Sequence, residues 1–290
     1  MLRLVLPKGS LERATLELFD AADLPVRRSS AVEYRATIDD HRISEVRILR
    51  PQEIPTYVAE GMFDLGITAR DWIEETGSDV ASLGELSYSK ASGKPTRIIV
   101  AVAGDSPIER VEDLPQGVRV STEYPGLTRR FFESKGIEAQ VRLSYGATEA
   151  KIPEIADCII DLTETGRAIK AAGLKIIDTI LVSYTEVIAN PGSYADPVKR
   201  RAMGQLMTLL NGTLDARTKV LVKLNVPAEQ YQAVLAVLPA AKSPTVSQLA
   251  DGGFAIEAVV EKRTINTLIP DLKDAGATDL LEIPISKIVH

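Results

Sequence analysis

The sequence predicts an α/β fold in three parts, on three observations. Short apolar runs alternate with helix-patterned stretches from residue 2 onward, the alternation breaks at residues 86–95 and resumes, and residues 213–290 change to the order β-α-β-β-α-β. In the first part, residues 2–6 (Leu-Arg-Leu-Val-Leu) form a short buried strand and Pro7-Lys8-Gly9-Ser10 a turn. Leu11, Ala14, Thr15, Leu18 and Phe19 then recur on one helical face, with Ser10 as N-cap. Residues 46–49 read as a strand, 51–60 as a helix closed by Gly61, and 64–68 (Asp-Leu-Gly-Ile-Thr) as another buried strand. Strands alternating with helices imply a parallel sheet covered on both faces.

The second part repeats the pattern, with strands at residues 97–103, 118–121, 139–143 and 158–161 and a helix at 126–135. Residues 86–95, rich in Ser, Gly and Lys, read either as a mobile loop at the edge of a cleft or as a plain solvated connection. In the third part, residues 219–226, 245–249, 254–260 and 279–283 read as strands and 228–238 and 264–274 as helices. This is the ferredoxin-like arrangement, of a size for a separate domain that binds an effector or assembles subunits.

Composition narrows the function. The 290 residues include 34 Lys or Arg against 40 Asp or Glu, a net charge of −6, which speaks against a general nucleic-acid binder. Cys158 stands alone, so no internal disulfide forms, and His41 and His290 leave little material for a Cys/His zinc site or a Ser-His-Asp triad. Apolar runs such as residues 97–103 are too short to span a membrane, and residues 1–9 lack the apolar core of a signal peptide, so a cytoplasmic protein is expected.

The most informative stretch runs from Ala156 to Ala168. A buried strand delivers Asp161, a turn of Thr163, Glu164, Thr165 and Gly166 follows, and a short helix opens at Arg167 and Ala168 and closes at Gly173. Free N–H groups at a helix start, two hydroxyls and a glycine suit a phosphate, and Asp161 suits a sugar hydroxyl pair or a metal-bound ligand; an ordinary strand-to-helix turn is the alternative. Lys8 and Gly9 after the first strand, and Arg50 after the strand at 46–49, are candidates for holding phosphate, with solvated surface cations as the alternative for Lys8 and Arg50. Glu123 and Tyr124 could read a base or ribose or merely cap the helix behind them, and turn chemistry accounts adequately for Asp64 and Asp71.

Several stretches, in this order, resemble the long form of ATP phosphoribosyltransferase: residues 4–11 (Leu-Val-Leu-Pro-Lys-Gly-Ser-Leu), 49–58 (Leu-Arg-Pro-Gln-Glu-Ile-Pro-Thr-Tyr-Val), 64–72, 121–132, 146–153, the Asp161 loop, 243–247 (Ser-Pro-Thr-Val-Ser) and 249–251. The resemblance spans nearly the whole chain. It implies a two-lobed, periplasmic-binding-protein-like catalytic core, with lobe I at residues 1–95 and 180–212 and lobe II at 96–179, followed by a ferredoxin-like regulatory domain at 213–290. It further implies the first step of histidine biosynthesis, in which N1 of ATP is joined to C1 of 5-phosphoribosyl 1-pyrophosphate (PRPP) and pyrophosphate leaves with inversion. Mg2+ would be carried mainly by substrate phosphates, histidine would act as feedback inhibitor, and the assembly would be a homo-hexamer built from dimers.

By the same resemblance Asp161, Lys8 and Arg50 are the catalytic candidates, and Asp161, Thr163, Glu164, Thr165, Gly166, Arg167 and Ala168 hold the phosphoribosyl donor. Lys8, Gly9, Arg50, Asp71, Glu123 and Tyr124 contact the nucleotide. Ser243 and Thr245 contact histidine, and Asn225 stands where an acidic residue can occur. Adenine N1 already carries a lone pair, so the chemistry needs no strong general base and the scarcity of histidine is no objection. A catalytically silent relative and a periplasmic-binding-like solute sensor are the competing readings.

Overall fold

The apolar run at residue 2 becomes the centre of the first sheet in the computed structural model, which describes residues 1–30, 33–88, 96–239 and 243–290. In chain order the elements are β1 (Leu2–Pro7), α1 (Glu12–Ala21), β2 (Arg35–Ala36), β3 (Ile43–Leu49), α2 (Ile54–Ala59), β4 (Leu65–Ala69), α3 (Arg70–Thr76) and β5 (Ala81–Glu85). The second sheet takes β6 (Thr96–Ala103), β7 (Val118–Thr122), α4 (Pro125–Ser134), β8 (Ala139–Leu143), β9 (Cys158–Thr163), α5 (Arg167–Ala171) and β10 (Leu174–Ser183). The chain then returns to the first sheet with β11 (Thr185–Ala189), followed by α6 (Pro191–Ala195) and α7 (Pro197–Ala216). Strand orders are β2-β3-β1-β4-β11-β5 and β10-β6-β9-β7-β8, so the two α/β lobes are joined by two crossovers, one from β5 to β6 and one from β10 to β11.

The sheets are mixed, not parallel throughout. β1 is parallel to β3 and β4, and β7 to β8 and β9, but β11 runs antiparallel to β4 and β5, β6 to β9, and β10 to β6. The two-residue β2 is also antiparallel, to β3, and the other antiparallel pairs involve strands at the crossovers: only Tyr184 separates β10 from β11, and a strand entering a sheet directly from the neighbouring lobe is not constrained to run parallel. The expected helix at 51–60 begins only at Ile54, because residues 51–53 form a turn with the Glu53 amide on the Arg50 carbonyl. Ser10 does not open α1; it lies within a 3-10 turn (Gly9–Leu11) that precedes the helix. Of the stretch read as a loop, residues 89–95 lie outside the described residues, whereas Leu86 is buried.

Apolar side chains on both faces hold each sheet. In the first lobe Val5 and Ile188 pack with Ile54 and Val58 of α2; in the second, Ile98, Val100, Val120 and Ile160 pack with Leu127 and Phe132 of α4.

The chain divides into two units, residues 1–20 with 24–205 and residues 21–23 with 206–290. The second unit contains β12 (Lys219–Val226), α8 (Tyr231–Val237), β13 (Thr245–Gln248), β14 (Phe254–Glu261), α9 (Ile265–Asp274) and β15 (Thr278–Pro284). Its sheet, ordered β13-β14-β12-β15 with every neighbour antiparallel, is the ferredoxin-like arrangement. Strict alternation along β12 turns Val220, Val222, Leu224 and Val226 toward Val234 of α8 and Leu268 and Leu272 of α9. Among the described residues no helix is long and apolar enough to cross a membrane.

Candidate active site

The parallel pairing of β7 with β9 sets Val120 beside Cys158, Ser121 beside Ile159 and Thr122 beside Ile160. Continued by one residue, this register brings Glu123 level with Asp161, two carboxylates at one edge of the second sheet. Asp161 is partly buried and its Oδ1 accepts from its neighbour's amide, Leu162 N, at 2.7 Å. Burial, reinforced by the charges of Glu149 and Glu123, pushes its carboxyl pKa above the ordinary range.

Both carboxylates face a cavity of about 370 Å³ between the lobes of the first unit. The first lobe contributes Ser10, Gln52, Asp71 and Trp72, the second Glu123, Tyr124 and Asp161, and the crossover Ser183 and Tyr184. Such an opening at the C-terminal ends of strands is where α/β folds bind ligands.

Asp71 lies in the wall of this cavity but is almost fully buried. Its Oδ2 accepts from Tyr124 Oη at 2.7 Å and its Oδ1 from Ser183 Oγ at 2.8 Å, while its amide donates to Ser183 Oγ at 3.2 Å. Burial, and next the Asp71 charge, raise the Tyr124 phenol well above its ordinary pKa, so Tyr124 stays a neutral donor. What Tyr124 offers the cavity is its ring, packed on Trp72 with centroids 4.7 Å apart.

The loop after Asp161 is held by its own hydroxyls. Gly166, in the left-handed region at φ 72°, donates its amide to Thr163 Oγ1 at 3.0 Å, and Arg167 N approaches Thr165 Oγ1 at 3.4 Å. Each hydroxyl accepts here and still carries a proton to donate. Thr163 is buried, Glu164 and Gly166 are partly exposed, and Thr165, Arg167 and Ala168 are exposed; none of residues 163–168 lines the cavity itself.

The remaining candidates stand nearby in the chain but outside the cavity lining. Lys8 follows β1 with its Nζ 4.0 Å from the ring centre of Tyr34, Gly9 opens the 3-10 turn at φ 86°, and Arg50 is exposed at the end of β3. Ser10, Gln52 and Trp72 lie inside the stretches whose resemblance is quoted above, so that pattern could have pointed to them. Ser183 lies in a stretch with no motif. Among the described residues no group of three or more His, Cys, Asp or Glu side chains is placed to hold a metal ion.

The model of the family "ATP phosphoribosyltransferase" matches residues 50–212, and that of the "HisG, C-terminal domain" matches residues 216–287. The ATP phosphoribosyltransferases of Pelotomaculum thermopropionicum and Desulforudis audaxviator are 45% and 46% identical to this chain, each over 99% of this chain and 99% of its own length. The chain belongs to the ATP phosphoribosyltransferase family. With the C-terminal domain present, it is the long form. Among solved structures, the ATP phosphoribosyl transferase (HisG:HisZ) complex from Thermotoga maritima is similar with a TM-score of 0.62 at 28% identity, covering 73% of this chain and 97% of that one.

The second unit of this ATP phosphoribosyltransferase chain has a cavity of its own, of about 360 Å³, lined by Ser243 and Thr245 together with Lys219, Glu257 and His290. Asn225 lies elsewhere, donating its Nδ2 to Asp279 Oδ2 at 3.0 Å.

Proposed function

We propose that this chain joins N1 of the adenine of ATP to C1 of PRPP, releasing pyrophosphate with inversion, as the first step of histidine biosynthesis. The observation that carries this reading is that Asp161 and Glu123 together line one wall of a cavity whose other wall is Ser10, Gln52 and Trp72, in a chain of this family. A long substrate pair needs two walls, and the cavity has one from each lobe. On this reading Asp161 accepts from the ribose hydroxyls of the donor, and Thr163, Thr165 and the amides of residues 164–168 hold its 5-phosphate. Lys8, Gly9 and Arg50 receive the nucleotide or pyrophosphate charge, and Glu123 and the Tyr124 ring meet the nucleotide. The N1 lone pair forms the new bond to C1 while the C1–O bond breaks and its electron pair leaves with pyrophosphate. The protein's part is alignment and charge placement, because N1 need not lose a proton first.

The carboxylates of Asp161 and Glu123, with no three-ligand cage among the described residues, fit Mg2+ held mostly by substrate phosphate oxygens and water. When bound there it would neutralise charge on the departing pyrophosphate. We further read Ser243 and Thr245 as contacts for inhibitory histidine, residues 213–290 as the regulatory domain, the assembly as a homo-hexamer built from dimers, and the site of action as the cytoplasm.

Pyrophosphate release from the purified chain tests the reading. Turnover that requires ATP, PRPP and Mg2+ together and falls on adding histidine is expected; a folded chain that releases no pyrophosphate refutes the transferase reading, and full activity in millimolar histidine refutes the regulatory one.

A further inference from the structure

Helix α3 belongs to the first lobe and α4 to the second, yet they are bonded end to end. Asp71 and Glu75 are one turn apart on α3 and so share a face. Asp71 accepts the hydroxyl of Tyr124, the residue immediately before α4, at 2.7 Å. Glu75 Oε1 accepts from Gly126 N at 2.9 Å and Oε2 from Leu127 N at 2.8 Å, so one carboxylate satisfies two of the free amides that open α4 and sits favourably against its dipole. In return Arg130, one turn further along α4, donates Nη2 to the carbonyls of Glu74 and Glu75 near the end of α3. The approach is close enough that a Cβ on Gly126 would lie 2.6 Å from the Glu75 carbonyl oxygen, which only glycine avoids. Trp72 completes the seam against the Tyr124 ring.

The segment gripped in this way, residues 123–127, carries Glu123 into the cavity. The donor loop has hydrogen bonds of its own, from Gly166 N to Thr163 Oγ1 and from Arg167 N to Thr165 Oγ1.

We propose that Asp71 and Glu75 are positioning residues for the transfer reaction, acting through Tyr124 and the first turn of α4 to set where Glu123 and the Tyr124 ring meet the nucleotide. This rests on the function proposed above. Both oxygens of Asp71 are engaged by Tyr124 and Ser183 and both of Glu75 by the first amides of α4, so the two carboxylates clamp the nucleotide side of the cavity across the two lobes.

The test compares the wild-type chain with Asp71→Asn, Glu75→Gln, Tyr124→Phe and the double variant Asp71→Asn/Tyr124→Phe. KM for ATP should rise at least tenfold in each single variant while KM for PRPP stays within twofold, and the double variant should be no worse than the weaker of its two parents, since both break one bond. Trp72 is the only tryptophan of the sequence and sits in the seam, so its emission follows ATP binding without turnover. The ATP concentration giving half the emission change should rise in the variants by the same factor as KM. Glu75 is partly exposed, so its variant carries the test if the buried Asp71 variant does not fold. Equal rises in both KM values with a lowered unfolding midpoint, or KM for ATP within twofold of wild type, overturns the proposal. A wild-type chain that binds ATP but turns nothing over overturns the transferase reading, and the Trp72 titration then decides the clamp by itself.

Discussion

Replacing Asp161 by Asn separates function from stability, because the two should move in opposite directions. Hydrogen bonds to a charged acceptor contribute about 1.5–3 kcal/mol each and neutral ones about 1. If the carboxylate accepts from two ribose hydroxyls, Asn weakens both and turns a donor toward one of them, a loss of about 2–3 kcal/mol, or roughly 30- to 150-fold in kcat/KM. Stability runs the other way. Burial and the charges of Glu149 and Glu123 raise the folded pKa of Asp161, whereas an Asp in the unfolded chain ionises near 3.9. Between these values the folded chain holds the extra proton, so stability falls as pH rises through the folded pKa, and at neutral pH the full penalty of the buried charge is present. Asn removes that penalty, and the variant should unfold at a higher temperature than wild type at pH 7.5 and at the same temperature below about pH 4. Pyrophosphate release and thermal unfolding at the two pH values measure both. A folded variant with kcat/KM within threefold of wild type, or one less stable than wild type at pH 7.5, refutes the reasoning.

Other substitutions probe the donor loop, the scaffold and the second unit. Gly166→Val puts a β-branched residue at φ 72°, with its Cβ 3.4 Å from Ile176 Cδ1, and should raise KM for PRPP at least tenfold in a chain with unaltered circular dichroism; an unchanged KM would remove the loop from donor binding. Asp64 is buried and accepts from Arg3, Ser193 and Lys199, and although burial opposes it, these bonds hold its carboxyl well below the usual carboxylate range. Asp64→Asn should cost about 3 kcal/mol in urea unfolding at pH 7, since both cations reach solvent and the buried-pair figure is discounted for it, and the deficit should shrink as pH falls from about 4 toward the folded pKa; a loss under about 1 kcal/mol would refute a structural role. Thr245→Val should raise the histidine concentration for half-inhibition at least tenfold, and an unmoved inhibition curve would take Thr245 out of the effector site.

Legibility in the sequence followed the range of the interactions. The alternation along residues 219–226 matches β12 residue for residue, because one buried face imposes a period of two whatever the strand pairs with. Asp161 and its Thr-Gly turn were visible for the same local reason, since left-handed glycine and hydroxyl caps act within a few residues. Ser10 misled because a residue type suited to capping cannot reveal that the chain first makes a 3-10 turn. The strand directions misled because β-α alternation says nothing about the end from which a strand of the other lobe enters the sheet.

By itself, then, the sequence determined the α/β class, the ferredoxin-like third part, the family, and the local shape of the loop after Asp161, all set by periodicity, turn chemistry and quoted motifs. Only the tertiary structure decided that Asp71 holds Tyr124 and Ser183, residues 53 and 112 positions away, that Glu75 caps a helix in the other lobe, and that Glu123 and Asp161 line one cavity. A carboxylate's role depends on which donors and charges surround it, and those are gathered by the packing of distant segments, which no short-range pattern encodes.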